Sequence, residues 1–202
     1  MARQPSRIDM LSEPIQVTLK VVAAFNRLGI PYLIGGSLAS AVYGIVRATM
    51  DADLVADIAS EQVLPLVGLL EGEFYADAYM IQDAIQHGSS FNLIHLETMF
   101  KVDVFILKQR AFDINQMQRR ISQPLGDAPD ERAYFSTAED IILAKLEWFH
   151  AGGETSERQW RDIFGGLDIQ NDRLDYDYLR NWAQKLGMQD LLQRALQAKD
   201  NE

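Results

Sequence analysis

No cysteine occurs in this chain, so disulfides, thiolate zinc sites and cysteine nucleophiles are excluded, and a reducing compartment suits it. Histidine is scarce: His87, His95 and His150 stand too far apart to form a local ligand pair. No apolar run approaches the roughly 20 residues that a membrane-spanning helix needs, and the opening MARQPSRIDMLSEP lacks the apolar core of a signal peptide. A cytoplasmic protein with no membrane partner is the expectation. Positive charge is also short, since 19 Lys and Arg face 29 Asp and Glu for a net charge of −10. Such a surface repels phosphate backbones and weighs against general nucleic-acid binding. A local basic stretch, Lys101, Lys108, Arg110, Arg119 and Arg120, is diluted by Asp103 and Asp113 and reads as a solvated face.

What remains is an ordinary globular composition, 48% hydrophobic and 24% charged over 202 residues. That is enough chain for one mixed domain, or a core with a helical appendage. Ser12 to Leu28 places Ile15, Leu19, Val22 and Phe25 at helical spacing, with Gly29 as a stop. Tyr32-Leu33-Ile34 reads as a short strand ending in Gly35-Gly36, and SLASAVYG from Ser37 reads as a helix. Asp51 to Ile58 alternates: Asp51, Asp53 and Asp57 take one parity, while Ala52, Leu54, Ala56 and Ile58 take the other, as in a half-buried strand. Helices are expected from Ser60 to Leu70 and from Asp77 to Ile85. Ser89 to Leu96 and Phe100 to Leu107 read as a hairpin whose second strand carries Lys101, Asp103 and Phe105 on one face. After the polar turn PLGDAPDE the pattern becomes helical: Thr137 with Asp140 resembles a capping box, and Ser156 to Leu167, Asp175 to Leu186 and Gln189 to Ala198 follow. The expected organisation is an α+β core over residues 1–121 and a helical region over 122–202.

Asp51 and Asp53, two apart on a strand, project from one face, close enough to share hard cations. Alone, a D-x-D pair is more often merely the polar face of a strand or a turn. Gly35-Gly36-Ser37 between strand and helix lets backbone N–H groups approach an anion, although a tight turn with Ser37 as N-cap has the same pattern. It lacks the lysine of a P-loop and the third glycine of a dinucleotide fingerprint. Asp103 stands out because it interrupts an apolar strand. Lys145 has Ile141, Ile142, Trp148 and Phe149 at helical spacing, so no ion pair one turn away explains it; it either snorkels from the core edge or points into a site. Trp148, Phe149, Trp160 and Phe164 read as core rather than as a base pocket, and His150 as a structural or exposed residue.

Taken together, GGS, then R-A-T-x-D-A-D from Arg47 to Asp53, then K-V-D-V-F resemble the DNA-polymerase-β-like nucleotidyltransferase superfamily. The A-E-D-I-I-L-A-K-L run and R-x-x-R-D from Arg158 to Asp162 extend the resemblance to its bacterial AbiEii/AbiGii-type branch. It spans roughly Tyr32 to Asp162, leaving the stretch from Ile58 to Ser89 unmatched. The resemblance implies a mixed sheet flanked by helices and an NTP substrate such as ATP. It implies Mg²⁺, or Mn²⁺, held by Asp51, Asp53 and Asp103, with Asp103 also helping to deprotonate an attacking hydroxyl. Gly35, Gly36 and Ser37 would hold phosphates, and Arg47 and Lys145 would neutralise phosphate charge. The acceptor would be a hydroxyl on RNA, protein or a small molecule, and that branch includes toxins paired with an antitoxin-like protein partner. The alternative is a non-catalytic nucleotide-binding or partner-binding module on the same fold.

Overall fold

In the computed structural model, which describes residues 12–45, 49–125 and 131–200, the chain forms two compact units. One is Met1–Leu38 with Arg47–Ser136; the other is Ala39–Val46 with Thr137–Glu202. The first unit contains helix α1 (Ser12–Leu28), strand β1 (Tyr32–Ile34), the start of α2 (Gly36–Val42), and β2 (Asp51–Ala56). It continues through α3 (Val63–Leu70), β3 (Phe74–Tyr75), α4 (Ala78–His87), β4 (Ser90–His95) and β5 (Lys101–Ile106). Helix α5 (Ala111–Arg119) and the strands β6 (Ile121–Pro124) and β7 (Arg132–Phe135) complete it. Together they make an α+β unit whose strands form one seven-stranded mixed sheet in the order β3-β4-β5-β2-β1-β7-β6.

The two faces of this sheet differ because its central strands alternate strictly. Ala52, Leu54 and Ala56 on β2, Val102, Val104 and Ile106 on β5, and Phe91 and Leu93 on β4 are buried on one face. Helix α1 packs on α3 and β2, and its buried stripe is Val17, Val21 and Phe25 with Thr18 and Val22. Ile15 and Leu19, expected in that stripe, are half-buried at its margin. Burying side chains of this size contributes on the order of 1.5–3 kcal/mol each, so the alternation fixes which parity faces inward. The opposite parity of β2 and β5 carries the acids. One end of that second face is closed, where Leu33, Leu107 and Met117 of α5 form a buried cluster with Val55.

The second unit is helical: α6 (Ala138–Ala151), α7 (Glu157–Gln170), α8 (Tyr176–Lys185) and α9 (Gln189–Asp200). Side-chain caps start three of them, with Thr137, Ser156 and Asp175 accepting from the backbone N–H three residues on. Helix α6 packs on α7 and α8, and α9 packs on both α7 and α8. Among the described residues no helix is long and apolar enough to cross a membrane.

Four elements, β6, β7, α5 and β3, differ from the expectation. The expected turn PLGDAPDE lies largely outside the described residues, but the strands flanking it, β6 and β7, are paired at four register positions from Ile121↔Phe135 to Pro124↔Arg132, so the sheet extends past residue 121. Four-residue strands are too short for alternation to announce them. Helix α5 went unread because its apolar positions, Phe112 and Met117, are few and its surface is polar. The two-residue β3 exists only through its pairing with β4.

Candidate active site

The acids meet through strand register. β2 and β5 run parallel with Asp53 opposite Asp103 and Asp51 opposite Lys101. Paired residues on neighbouring strands share a face about 4.8 Å apart, so Asp51, Asp53, Lys101 and Asp103 form one half-buried patch. β4 lies antiparallel on the far side of β5 and sets Asn92 opposite Asp103.

The glycine turn is fastened to the same place. The Gly35 N–H donates to the Asp53 carbonyl oxygen at 2.8 Å. Gly36 adopts φ +54°, a left-handed conformation that strains other residues. A Cβ there would fall onto Oδ2 of Asp53 and within 2.7 Å of its carboxyl carbon. Glycine is therefore required twice, by backbone angle and by close approach to the carboxylate. Ser37 follows, nearly buried. On the other side, Thr49 Oγ1 donates to the Asp51 carbonyl at 2.8 Å and lies 3.2 Å from its Oδ1, pinning the start of β2.

Asp103 is engaged at both oxygens. Lys101 Nζ lies 2.7 Å from Oδ2, and the Asn92 amide, turned with its nitrogen toward the carboxylate, donates to Oδ1 at 2.5 Å. The Lys101 ammonium is held above its usual pKa, first by that hydrogen bond to Asp103 and further by the charges of Asp103, Asp51 and Asp53, against a desolvation cost. Among the described residues no three His, Asp or Glu side chains already stand together as a metal-ligand group. The patch nevertheless has the donors a hard divalent ion takes, carboxylate oxygens on one face, and a cation is already lodged there as the lysine ammonium. Thr49, Asn92 and Lys101 were not read as site residues from the sequence. For Lys101 the signal was present, because strand parity placed it on the face of Asp103.

The other expected residues distribute differently. Arg47 lies outside the described residues. Lys145, in the helical unit, pairs with Asp162 of α7 at 2.8 Å. Its partner thus comes from a second helix rather than from its own, and both side chains are largely buried. Of the aromatic set, Phe149 is core and packs on a half-buried Trp160 at 5.3 Å. Phe164 is half-buried, whereas Trp148 is 61% exposed and not core. His150 lies exposed beside Glu154. In the basic stretch Lys101 pairs with Asp103, Arg110 with Asp113, and Arg120 stacks over Tyr134, so the diluting acids are the partners of the bases.

No known family and no curated protein matches the sequence. Solved structures match the fold. The antibiotic-resistance factor ANT(2'')-Ia in solution superposes with a TM-score of 0.54 at 12% identity, over 94% of this chain and 96% of that one. An antigenic nucleotidyltransferase-like protein from Paracoccidioides brasiliensis gives 0.52 at 19% identity, over 93% and 94%. Crystalline ANT(2'')-Ia in complex with adenylyl-2''-tobramycin gives 0.51 at 13%, over 86% and 98%. The chain therefore has the fold of nucleotidyltransferases.

Proposed function

We propose that this protein is a metal-dependent nucleotidyltransferase that moves a nucleoside monophosphate from an NTP to a hydroxyl. The observation that carries this reading is the pairing of Asp53 with Asp103 on adjacent parallel strands, beside a glycine turn packed against Asp53. Asp51, Asp53 and Asp103 would hold Mg²⁺ or Mn²⁺, which when bound supplies charge neutralisation at the phosphates and at the entering and leaving oxygens. The remaining work falls to the chain. The backbone at Gly35, Gly36 and Ser37 would bind phosphate oxygens where side chains would obstruct them. Asp103 would accept the proton of the attacking hydroxyl, and the new bond at the α-phosphorus would form as the bond to pyrophosphate breaks.

The net charge of −10 favours an acceptor hydroxyl on a small molecule or protein over one on RNA. ANT(2'')-Ia, whose fold this chain shares, has been captured with an adenylylated small molecule, tobramycin. A place in the AbiEii/AbiGii-type branch, with an antitoxin-like partner, is the narrower form of the reading; a growth defect on expression, relieved by the product of an adjacent gene, would support it. Incubation with α-labelled NTPs, Mg²⁺ or Mn²⁺ and candidate acceptors tests the activity. Label transfer should fall about 100-fold or more in Asp53→Asn and Asp103→Asn, the scale of losing a group that stabilises the transition state; equal labelling by the variants sinks it. One observation favours the non-catalytic alternative: both oxygens of Asp103 are already bonded. Calorimetry that finds Mg-NTP bound but no pyrophosphate released with any acceptor would support that module.

A further inference from the structure

The three carboxylates on β2 and β5 repel one another and need a counter-charge on their face. Like charges opposite one another on neighbouring strands are destabilising, and Asp53 and Asp103 are held opposite by six consecutive register pairs. Neither strand can slip to relieve this, because a shift of one residue would turn Leu54 and Val104 out of the core.

Lys101 answers that requirement from within the chain. It is two residues before Asp103 on the same strand and directly across from Asp51, so its side chain rises among the acids. Its ammonium bonds Oδ2 of Asp103, and its charge is felt by Asp51 and Asp53 as well. The second donor, Asn92, is exposed but short, on a strand paired with β5 at five positions, so its amide cannot travel far from Asp103. Lys101 differs in reach: its ammonium rides on a flexible four-carbon stem, and with 40% of its side chain exposed it can swing out to solvent. Of the two groups bonded to Asp103, the lysine has by far the longer reach away from it.

We propose that Lys101 is an exchangeable counter-cation, holding the cation position at Asp103 in the resting protein and yielding it when a divalent ion enters. The proposal rests on the nucleotidyltransferase reading of the three acids. It makes Lys101 a positioning residue: it keeps the acidic face assembled without metal and lowers metal affinity by competition.

The test is Mn²⁺ binding to the full chain without nucleotide, followed by electron paramagnetic resonance, with circular dichroism confirming the fold. Lys101→Met should bind Mn²⁺ about tenfold more tightly, the Coulomb repulsion of a divalent ion by an ammonium about 6 Å away in water. Lys101→Arg, which keeps the charge, should stay near wild type, and in an Asp103→Asn background, where the lysine is no longer held beside the site, the gain from Lys101→Met should shrink. Equal or weaker binding by Lys101→Met overturns the proposal while leaving the metal site standing. Wild-type Mn²⁺ binding that survives Asp53→Asn unchanged instead overturns the reading of the acids themselves. If Lys101→Met does not fold, nitrogen-15 lysine resonances of the wild type decide. The signal assigned through Lys101→Arg should move toward a water-exposed ammonium on adding Mg²⁺, and one that stays put while Mg²⁺ binds overturns the proposal.

Discussion

Gly36 packs so closely on Asp53 that any Cβ at the glycine would displace the carboxylate, coming within 2.7 Å of its carboxyl carbon. The turn and the acid are thus one unit rather than two neighbours, since Gly35 also donates to the Asp53 backbone. Gly36→Ala should lose about 1–3 kcal/mol through its left-handed backbone alone, and activity should fall further because Asp53 is pushed aside. Urea denaturation in a double-mutant cycle separates the two effects. In an Asp53→Ala background the glycine substitution should cost less, but not nothing. An identical cost in both backgrounds would show that the contact is immaterial.

Lys145 and Asp162 join α6 to α7 at 2.8 Å with little exposure of either. Removing only the lysine leaves a carboxylate short of its cation. Lys145→Met should therefore cost about 2–4 kcal/mol, and Lys145→Met with Asp162→Leu should recover most of it. Thermal melts of the variants read this.

These pairs show what a sequence discloses and what it hides. Asp51, Asp53 and Asp103 were legible as residues of one strand face because alternation sets each of them on the parity opposite the buried residues. Their pairing was not legible, since a parallel β2–β5 contact is made across α3, β3, α4 and β4, and nothing local encodes it. Lys145 was recognised as needing a reason, yet its partner lies on another helix. The α1 stripe was found but rotated toward Ile15, because apolar spacing is satisfied by more than one face. The β6–β7 pairing was not legible, because the strands are only four residues long.

Asp140 is fully buried and accepts from two hydroxyls, Tyr178 at 2.5 Å and Thr137 at 3.0 Å. The same α6 start is tied to α8 again where the Asp175 N–H donates to Glu139 at 3.1 Å. Tyr178→Phe removes one bond to a buried carboxylate and should cost about 1.5–3 kcal/mol. Asp140→Asn, which exchanges acceptor for donor, should unfold the helical unit at lower temperature still. Calorimetric melting of both variants checks the order.

Alkaline pH should act through Tyr43. Burial raises its phenol pKa most, and the charges of Glu139 and Asp140 raise it further. The raised value means the folded state keeps a proton that the unfolded chain gives up near pH 10. Stability from this group is intact below that pH and declines as pH climbs through the interval above it. Tyr43→Phe has no proton to lose, so its denaturation midpoint should fall less between pH 9 and about 11 than that of wild type.

The parallel β2–β5 pairing also has a consequence in time. In a chain made at roughly 5–20 residues per second, β2 with its two acids emerges well before the strand that carries Asp103 and Lys101. β1 is at hand to pair with it at once, but its other edge waits seconds for a neighbour. During synthesis the nascent protein therefore has two of its three acids and none of the lysine that quiets them, and that edge is open to whatever cation or strand arrives first.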